Sequence, residues 1–369
     1  MTAIDYTKPP TLTYQQLLDT DSHAVPDVLR WFSPMPPSTA DVPVERYTSA
    51  EFHRLEVEKV WTKVWQMACR EEDIPEVGDH ITYDIVGRSI LVVRSAPDVI
   101  SAFHNVCPHR GRRIREHAGR DTELRCAFHG FAWELNGCLK QVPCQWDFPR
   151  LEPDEWGLPE VLVGTWGGFV FINMDLDAAP LEEHLGDLGD HFTRWPLEDR
   201  YKEAHVAKVM DCNWKVAQEA FMEAYHVVAT HPQLLPSLGD AITQYDVFGN
   251  FSRAITPNGV PSPHLTWEPT QQDIFDAMSD RNLDEEPRMI VPLDETARHL
   301  AAESARTALR PAIGDRADEL CDAELTESIY YTVFPNFHPW GAYNRIVYRF
   351  RPYGNDHRRS IMECMFLSP

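Results

Sequence analysis

The sequence predicts an α+β fold, and three observations carry that expectation. Short β-type runs crowd between His80 and Asn105 and return beyond Ile329; a helical stretch begins at Trp214; and Gly and Pro residues punctuate the intervals between them. With 369 residues, 43% hydrophobic and 25% charged, the chain is long enough to bury two cores.

The first 45 residues carry Pro9, Pro10, Pro26, Pro34, Pro36, Pro37 and Pro43 and read as an extended N-terminal arm with at most short helical turns. Thr48-x-x-Glu51 has the form of a capping box. It would open a helix that puts Phe52, Leu55, Val60, Trp61, Val64 and Trp65 on one broad face. The runs HITYDIV, SILVVRS and VISAFHN, broken at Gly87-Arg88 and Ala96-Pro97, read as a small antiparallel sheet. VLVGTWGGFVFINM (161–174) reads as a buried strand pair or as a strand leading back out of that sheet. One domain is expected over 46–165, and the remainder, 166–369, is expected as a second. In that second part AHVAKVMDC reads as a strand and Trp214 to about Ala229 as a helix. Gln271–Ser279 and Thr296–Leu309 read as polar helices, and Ile329–Phe334, Tyr343–Arg351 and Arg358–Leu367 as closing strands.

Composition excludes several classes of function. A formal charge of −23 argues against nucleic acid or an anionic membrane as partner. No stretch approaches the roughly 18 apolar residues of a membrane span. The opening MTAIDYTKPP has neither a basic n-region nor an apolar h-region, so a cytoplasmic location is expected. Eight Cys in a chain of this length do not make a disulfide framework, which fits a reducing compartment.

Two Cys/His pairs carry the chemistry. Cys107-Pro108-His109 and Cys126-Ala127-Phe128-His129 lie in the near-repeat contexts CPHRG and CAFHG. Structural zinc sites usually draw pairs of like residues from each loop, whereas here each loop supplies one Cys and one His. That mixture suits a [2Fe-2S] cluster of the Rieske form, with two Cys on one iron and two His on the other. Gly111 and Gly130 allow the tight turns such loops need.

A second constellation lies in NWKVAQEAFMEAYHVVATHPQ. On a continuous helix Glu223 and His226 share a face, and His231 falls about 140° further round. Pro232 biases His231 out of the helical region, so its ring can swing toward His226. Two imidazoles suit a ferrous ion of the two-His-one-carboxylate kind. An isolated pair of this sort is more often a surface feature; an electron-supplying cluster upstream favours iron.

Over nearly its whole length, through VWTKVWQMACREEDIPEVGD, NVCPHRGRRI, CAFHGFAWELNG, NWKVAQEAFMEAYHVVATHP and VFPNFHPWG, the sequence resembles the α (large, catalytic) subunit of Rieske non-haem iron aromatic-ring-hydroxylating oxygenases. The resemblance implies an all-β Rieske domain inserted in a helix-grip (START/SRPBCC-like) catalytic domain with an antiparallel sheet. It implies a cluster on Cys107, His109, Cys126 and His129, and mononuclear Fe(II) on His226 and His231. It also implies that Glu223 bridges the two centres across a subunit contact, with Glu219 a distant rival. Implied as well are O2 as co-substrate, electrons from a ferredoxin or an NAD(P)H-dependent reductase, and assembly as a homotrimer or as α3β3 with a small β subunit. The expected reaction is hydroxylation of a small apolar, aromatic substrate, or oxidative demethylation as the alternative. A truncated or inactive relative acting only in electron transfer or structure is a further alternative.

In one respect the pattern departs from the family. The family's third iron ligand is a carboxylate beyond the last strand, and no residue before Ser368-Pro369 matches it. Asp356 and Glu363 read more simply as turn and strand residues. The expectation is a missing C-terminal end, or iron held by two His. Arg110, Arg112, Arg113, Arg115, Arg120 and Arg125 surround the Cys/His loops and read equally as local ion-pairing groups or as a docking surface. Phe334, Phe337, Trp340 and Tyr343 are candidates for a substrate pocket.

Overall fold

The structure, a computed structural model, describes residues 4–33, 40–279 and 289–369, so Pro34, Pro36 and Pro37 of the arm lie outside the described residues. The arm runs over the second half of the chain as an extended segment with short turns. It buries Tyr14, Leu18, Val28 and Leu29 in the same core as Ile329, Tyr331 and Met365.

The expected helix near residue 50 forms as Ala50–Glu56, but its cap is Ser49, whose hydroxyl accepts the Phe52 N–H, and not Thr48. The helix then widens into a π turn, Val57–Trp61. That extra residue shifts the register, so Trp61, Trp65 and the polar His53 and Glu56 are buried while Leu55 is exposed.

Strands β1 (Gln66–Arg70), β2 (Asp79–Ile85), β3 (Arg88–Ala96), β4 (Val99–His104) and β5 (Gly119–Arg120) follow. A small sheet, β6 (Leu124–Arg125), β7 (Ala132–Trp133) and β8 (Leu139–Gln141), precedes the hairpin β9 (Glu160–Trp166) and β10 (Phe169–Asn173). The larger sheet is antiparallel, in the order β1-β10-β9-β4-β3-β2-β5. Its turn residues Gly167 and Gly168 take positive φ, which a side chain would strain. The period-2 alternation of β3 separates two cores: Ile90 and Val92 face one, while Leu91 and Val93 face another that contains Cys107, Cys126 and Trp133.

The second half holds two antiparallel sheets. One is β11 (Tyr201–Met210) paired with β17 (Asp356–Ser368), then β16 (Ile346–Tyr353) and β15 (His338–Pro339). The other is β12 (Gln244–Phe248), β13 (Phe251–Thr256) and β14 (Ser328–Val333). The β12–β13 hairpin was not anticipated, although Gly249-Asn250 between two alternating runs is a turn signal. Helices Gln271–Met278 and Ala297–Ile313 form near their expected positions and pack on each other.

The helix expected from Trp214 to Ala229 is broken. Trp214–Glu219 is helical and packs against β16 and β17; residues 220–226 are not; Val227–Thr230 makes one further turn. No Gly or Pro lies between, so local propensity does not account for the break. Tertiary partners do. Tyr245 Oη takes the Ala224 N–H at 2.9 Å and the Glu223 carboxylate takes the His226 N–H at 2.9 Å, replacing helical carbonyls.

The halves are clasped at β1. Asn336, fully buried, accepts the Met67 N–H at 2.9 Å and donates to Met67 O and Tyr83 Oη, each at 3.1 Å. Arg349 donates to Ala68 O and is held by both oxygens of Glu363, at 2.6 and 2.7 Å.

Candidate functional site

The two Cys/His loops are built alike. Cys107 N–H donates to Arg112 O at 2.7 Å, and Gly111 N–H donates back to Cys107 O at 2.9 Å. Cys126 N–H donates to Phe131 O at 2.8 Å, and Gly130 N–H to Cys126 O at 3.0 Å. Each loop therefore closes on its own Cys, with a Gly four positions on at φ +76 and +80. A β-carbon is strained in that conformation, so glycine is the residue that suits both turns.

This closure brings like groups together. The Cys107 and Cys126 thiols adjoin and are buried, with no disulfide between them. The rings of His109 and His129 lie 4.7 Å apart at 65°. Phe131 stacks on His109 at 4.8 Å, and Phe128 leans on His129 at 3.9 Å, giving an apolar jacket. Burial pushes the Cys107 thiol above its ordinary value. Burial, reinforced by His129 and Arg110, pulls His109 below its own. His109 Nδ1 is buried without a hydrogen-bond partner, although buried imidazole nitrogens nearly always have one. Paired thiols, paired imidazoles and a buried ring nitrogen without a hydrogen-bond partner fit a two-iron cluster with one like pair on each iron.

Most of the surrounding arginines are paired locally. Arg113 meets Asp84, Arg115 meets Asp121, Arg120 meets Asp79, and Arg125 meets Glu123, all within 3.0 Å. Arg112 reaches Glu116 more loosely. Arg110 instead lies over the exposed Phe128 ring, at 5.8 Å. Local pairing is thus the better account for all but Arg110.

The second constellation forms from the broken helix. His231 ends the short turn at φ −128, ψ 51, outside the helical region, and Pro232 opens a 3-10 turn after it. The His226 and His231 rings come within 5.4 Å, at 74°. Glu223 binds His226 twice: Oε2 accepts the backbone N–H at 2.9 Å, and Oε1 accepts from ring Nδ1 at 2.6 Å. The relationship between these two residues is a cap on a turn and not the shared helical face expected from spacing. Because a carboxylate only accepts, Nδ1 must carry the proton, and Nε2 keeps its lone pair for a metal. Glu219 is engaged elsewhere, accepting from Tyr47 Oη at 2.9 Å; burial raises its pKa despite that bond.

Glu223, His226 and His231 line a cavity of about 460 Å³. Phe221, Ala224 and Val227 continue that wall, and Ala254, Thr256, Ser328, Tyr330 and Trp340 supply another from β13, β14 and the segment beyond. Of the four aromatics proposed from sequence only Trp340 lines it. Phe337 is in the main core, Tyr343 lies under Arg200 and Phe334 sits near Trp214. Tyr330, Thr256 and Ser328 were missed, because one face of a strand is chosen only once the sheet is paired.

Neither C-terminal acid joins the histidines. Glu363 is buried against Arg349, Arg351 and His205, and Asp356 accepts the Arg358 N–H at the start of β17. Among the described residues no three His, Cys, Asp or Glu side chains converge to hold a single ion. The two imidazoles, one with its tautomer fixed, nevertheless form a suitable partial donor set for ferrous iron.

Comparison with known proteins identifies the two domains. The model of the Rieske [2Fe-2S] domain matches residues 64–152, and that of the ring hydroxylating alpha subunit (catalytic domain) matches 192–368. The chain is 35% identical to the chlorobenzene dioxygenase subunit alpha of Cupriavidus sp. (strain PS12) over 191 residues, which are 50% of this chain and 42% of that one. It is 29% identical to the carnitine monooxygenase oxygenase subunit of Escherichia coli (strain K12) over 224 residues, 60% of each. The chain thus spans about half the length of the curated relatives it matches. Among solved structures, a quaternary ammonium Rieske monooxygenase superposes with a TM-score of 0.64 at 20% identity, over 88% of this chain and 74% of that one. Naphthalene 1,2-dioxygenase from Rhodococcus sp. superposes with a TM-score of 0.61 at 20% identity, over 89% and 73%. With a cluster domain followed by a ring-hydroxylating catalytic domain, this chain belongs to the family of Rieske non-haem iron ring-hydroxylating oxygenase α subunits.

Proposed function

We propose that this chain is the terminal oxygenase component of a multicomponent system, hydroxylating a small apolar, aromatic substrate with O2. Cys107, His109, Cys126 and His129 would hold the [2Fe-2S] cluster, and His226 and His231 the mononuclear iron. When bound, the cluster supplies one-electron transfer and the ferrous ion supplies activation of O2. The observation that carries the reading is the pair of hydrogen bonds that His226 donates to the Glu223 carboxylate at the wall of the cavity. It holds the ring in one tautomer and one orientation, as a second-sphere carboxylate does for a metal-bound imidazole. Phe221, Ala224 and Val227 give the pair an apolar neighbourhood on the cavity wall.

His129 is exposed, so a carboxylate of a neighbouring subunit can reach it. Glu223 is the proposed partner, linking the two centres across a homotrimer contact, with or without a small β subunit. A ferredoxin or an NAD(P)H-dependent reductase would supply the electrons, in the cytoplasm. No helix among the described residues is long and apolar enough to cross a membrane.

The test is iron and sulfide reconstitution followed by EPR. The expected result is about three iron per chain and a low-g signal on reduction. In His226→Ala one iron is lost and the signal stays. Absence of the signal, or no loss of iron in the variant, overturns the reading. A second outcome, oxidative demethylation, is supported by the likeness to a carnitine monooxygenase subunit. Product analysis distinguishes a diol from a dealkylated product.

A further inference from the structure

Residues 220–226 hold their open conformation against their own composition. Ala220, Met222, Glu223 and Ala224 are all strong helix formers. In a continuous helix Ala224 N–H would donate to Ala220 O, and His226 N–H to Met222 O. Instead Ala224 donates to Tyr245 Oη and His226 to the Glu223 carboxylate, each at 2.9 Å. The second bond arises within the segment and exists only while the segment is open. Tyr245 supplies its acceptor from outside, 21 residues further along the chain.

The strand that carries Tyr245 is firmly anchored. Tyr245 lies in β12 opposite Ala254 of β13, which pairs in turn with Tyr330 of β14, so the three side chains share one face. The next residue, Asp246, is buried, and its carboxylate takes Arg253 at 2.7 Å and the Ser33 N–H at 2.9 Å. Side chains alternate along a strand, so this ion pair fixes β12 on one face while the phenol reaches residues 220–226 from the other. Ala254 and Tyr330 line the cavity, whereas Tyr245 is half-exposed and is not among the lining residues. Its hydroxyl joins the sheet wall to the histidine wall from outside.

We infer that Tyr245 is a positioning residue for the iron site. By accepting the Ala224 N–H it holds the helix open, which lets Glu223 cap His226 and keeps the His226 and His231 rings side by side. This assignment rests on the oxygenase reading above, which places iron at those two residues. Without the hydroxyl, Ala224 N–H either turns back to Ala220 O or loses its acceptor. In the first case His226 N–H follows to Met222 O, and Glu223 keeps only the ring bond. In the second, the stranded amide destabilises the open segment. Either way the arrangement that receives iron is less populated, and the apparent affinity for iron falls by the same factor.

Tyr245→Phe removes one oxygen and keeps the ring. In the iron-loaded full chain, chelator competition is expected to show iron at His226/His231 held about tenfold less tightly. The EPR signal of the ferrous ion's nitric oxide adduct should broaden as the ligand geometry becomes heterogeneous. The low-g signal of the reduced cluster should keep its amplitude and so report an intact fold. In a Glu223→Gln background the same substitution should cost less than about twofold, because both act through His226.

Unchanged iron affinity and an unchanged nitric oxide spectrum in Tyr245→Phe overturn this inference and leave the oxygenase reading standing. Full additivity with Glu223→Gln overturns the route through Glu223. Loss of the cluster signal together with the iron makes the hydroxyl a general stability group and overturns its specific role. His226→Ala protein that retains all its iron overturns the oxygenase reading itself, and this inference with it.

Discussion

Both oxygens of the Glu223 carboxylate are taken by one residue, His226, through its ring Nδ1–H at 2.6 Å and its backbone N–H at 2.9 Å. The contact fixes the histidine's tautomer and its position at the cavity wall together. Glu219, one helical turn earlier in sequence, is held by Tyr47 and takes no part.

Glu223→Gln is therefore expected to weaken iron retention at the His226/His231 site by about 10–100-fold, the usual effect of losing a ligand-orienting carboxylate. Glu219→Gln should leave it unchanged. Metal analysis after dialysis against a chelator measures both, and the cluster's visible absorption reports whether each variant is intact. Equal loss in the two variants would refute a specific role for Glu223.

Paired imidazoles would set the potential of a cluster held by the two Cys/His loops. Neutral nitrogen ligands raise it, so His129→Cys should move the midpoint downward by several tenths of a volt, toward about −400 mV. Redox titration followed by EPR checks this. A cluster that assembles in the variant without a fall in potential would mean that His129 is not a ligand.

Asn336 serves the joint between the halves. Asn336→Ala strands the buried Met67 N–H and leaves Met67 O only the longer bond from Arg349 Nη1, and a cost of about 1–3 kcal/mol is expected, seen as an earlier midpoint in urea. A change below about 0.5 kcal/mol would show that solvent or a neighbouring group replaces it.

His191 is sealed among Trp31, Phe248, Phe251 and Tyr331, and burial, aided by Arg253, lowers its pKa to about 3. The unfolded chain takes up this proton near pH 6.5 and the folded chain only near 3. Its contribution is complete above about pH 6.5 and declines as pH falls toward 3, by about 1.4 kcal/mol per unit. His338, also buried and lowered to about 3, acts in the same direction. In His191→Phe the dependence of unfolding free energy on pH should be shallower over this window, whatever the variant's stability at neutral pH. An identical slope in wild type and variant would rule out the linkage.

Much of the chemistry was legible without coordinates because it is local. CPHRG and CAFHG each carry ligands and turn glycine within five positions, and Pro232 states in sequence that His231 leaves the helix. Strand runs such as SILVVRS were readable for the same reason, since alternation is a nearest-neighbour property. Legibility failed where partners are distant. Helical spacing correctly joined Glu223 to His226, but the reason proposed for it was wrong, because Tyr245 and Glu223 itself interrupt the helix. The face of β14 that lines the cavity depends on pairing with β13, some seventy residues earlier.

From its residues alone this chain could be placed among the Rieske oxygenases, with donor types, loop turns and most sheet segments already named by short-range spacing and stereochemistry. Packing was needed to bring thiol beside thiol and imidazole beside imidazole, to free Glu219 from the metal question, and to set Tyr330 and Trp340 at one cavity wall. The reason is physical: coordination geometry and burial depend on groups far apart along the backbone, and the energies that join them exist only once the sheets have closed.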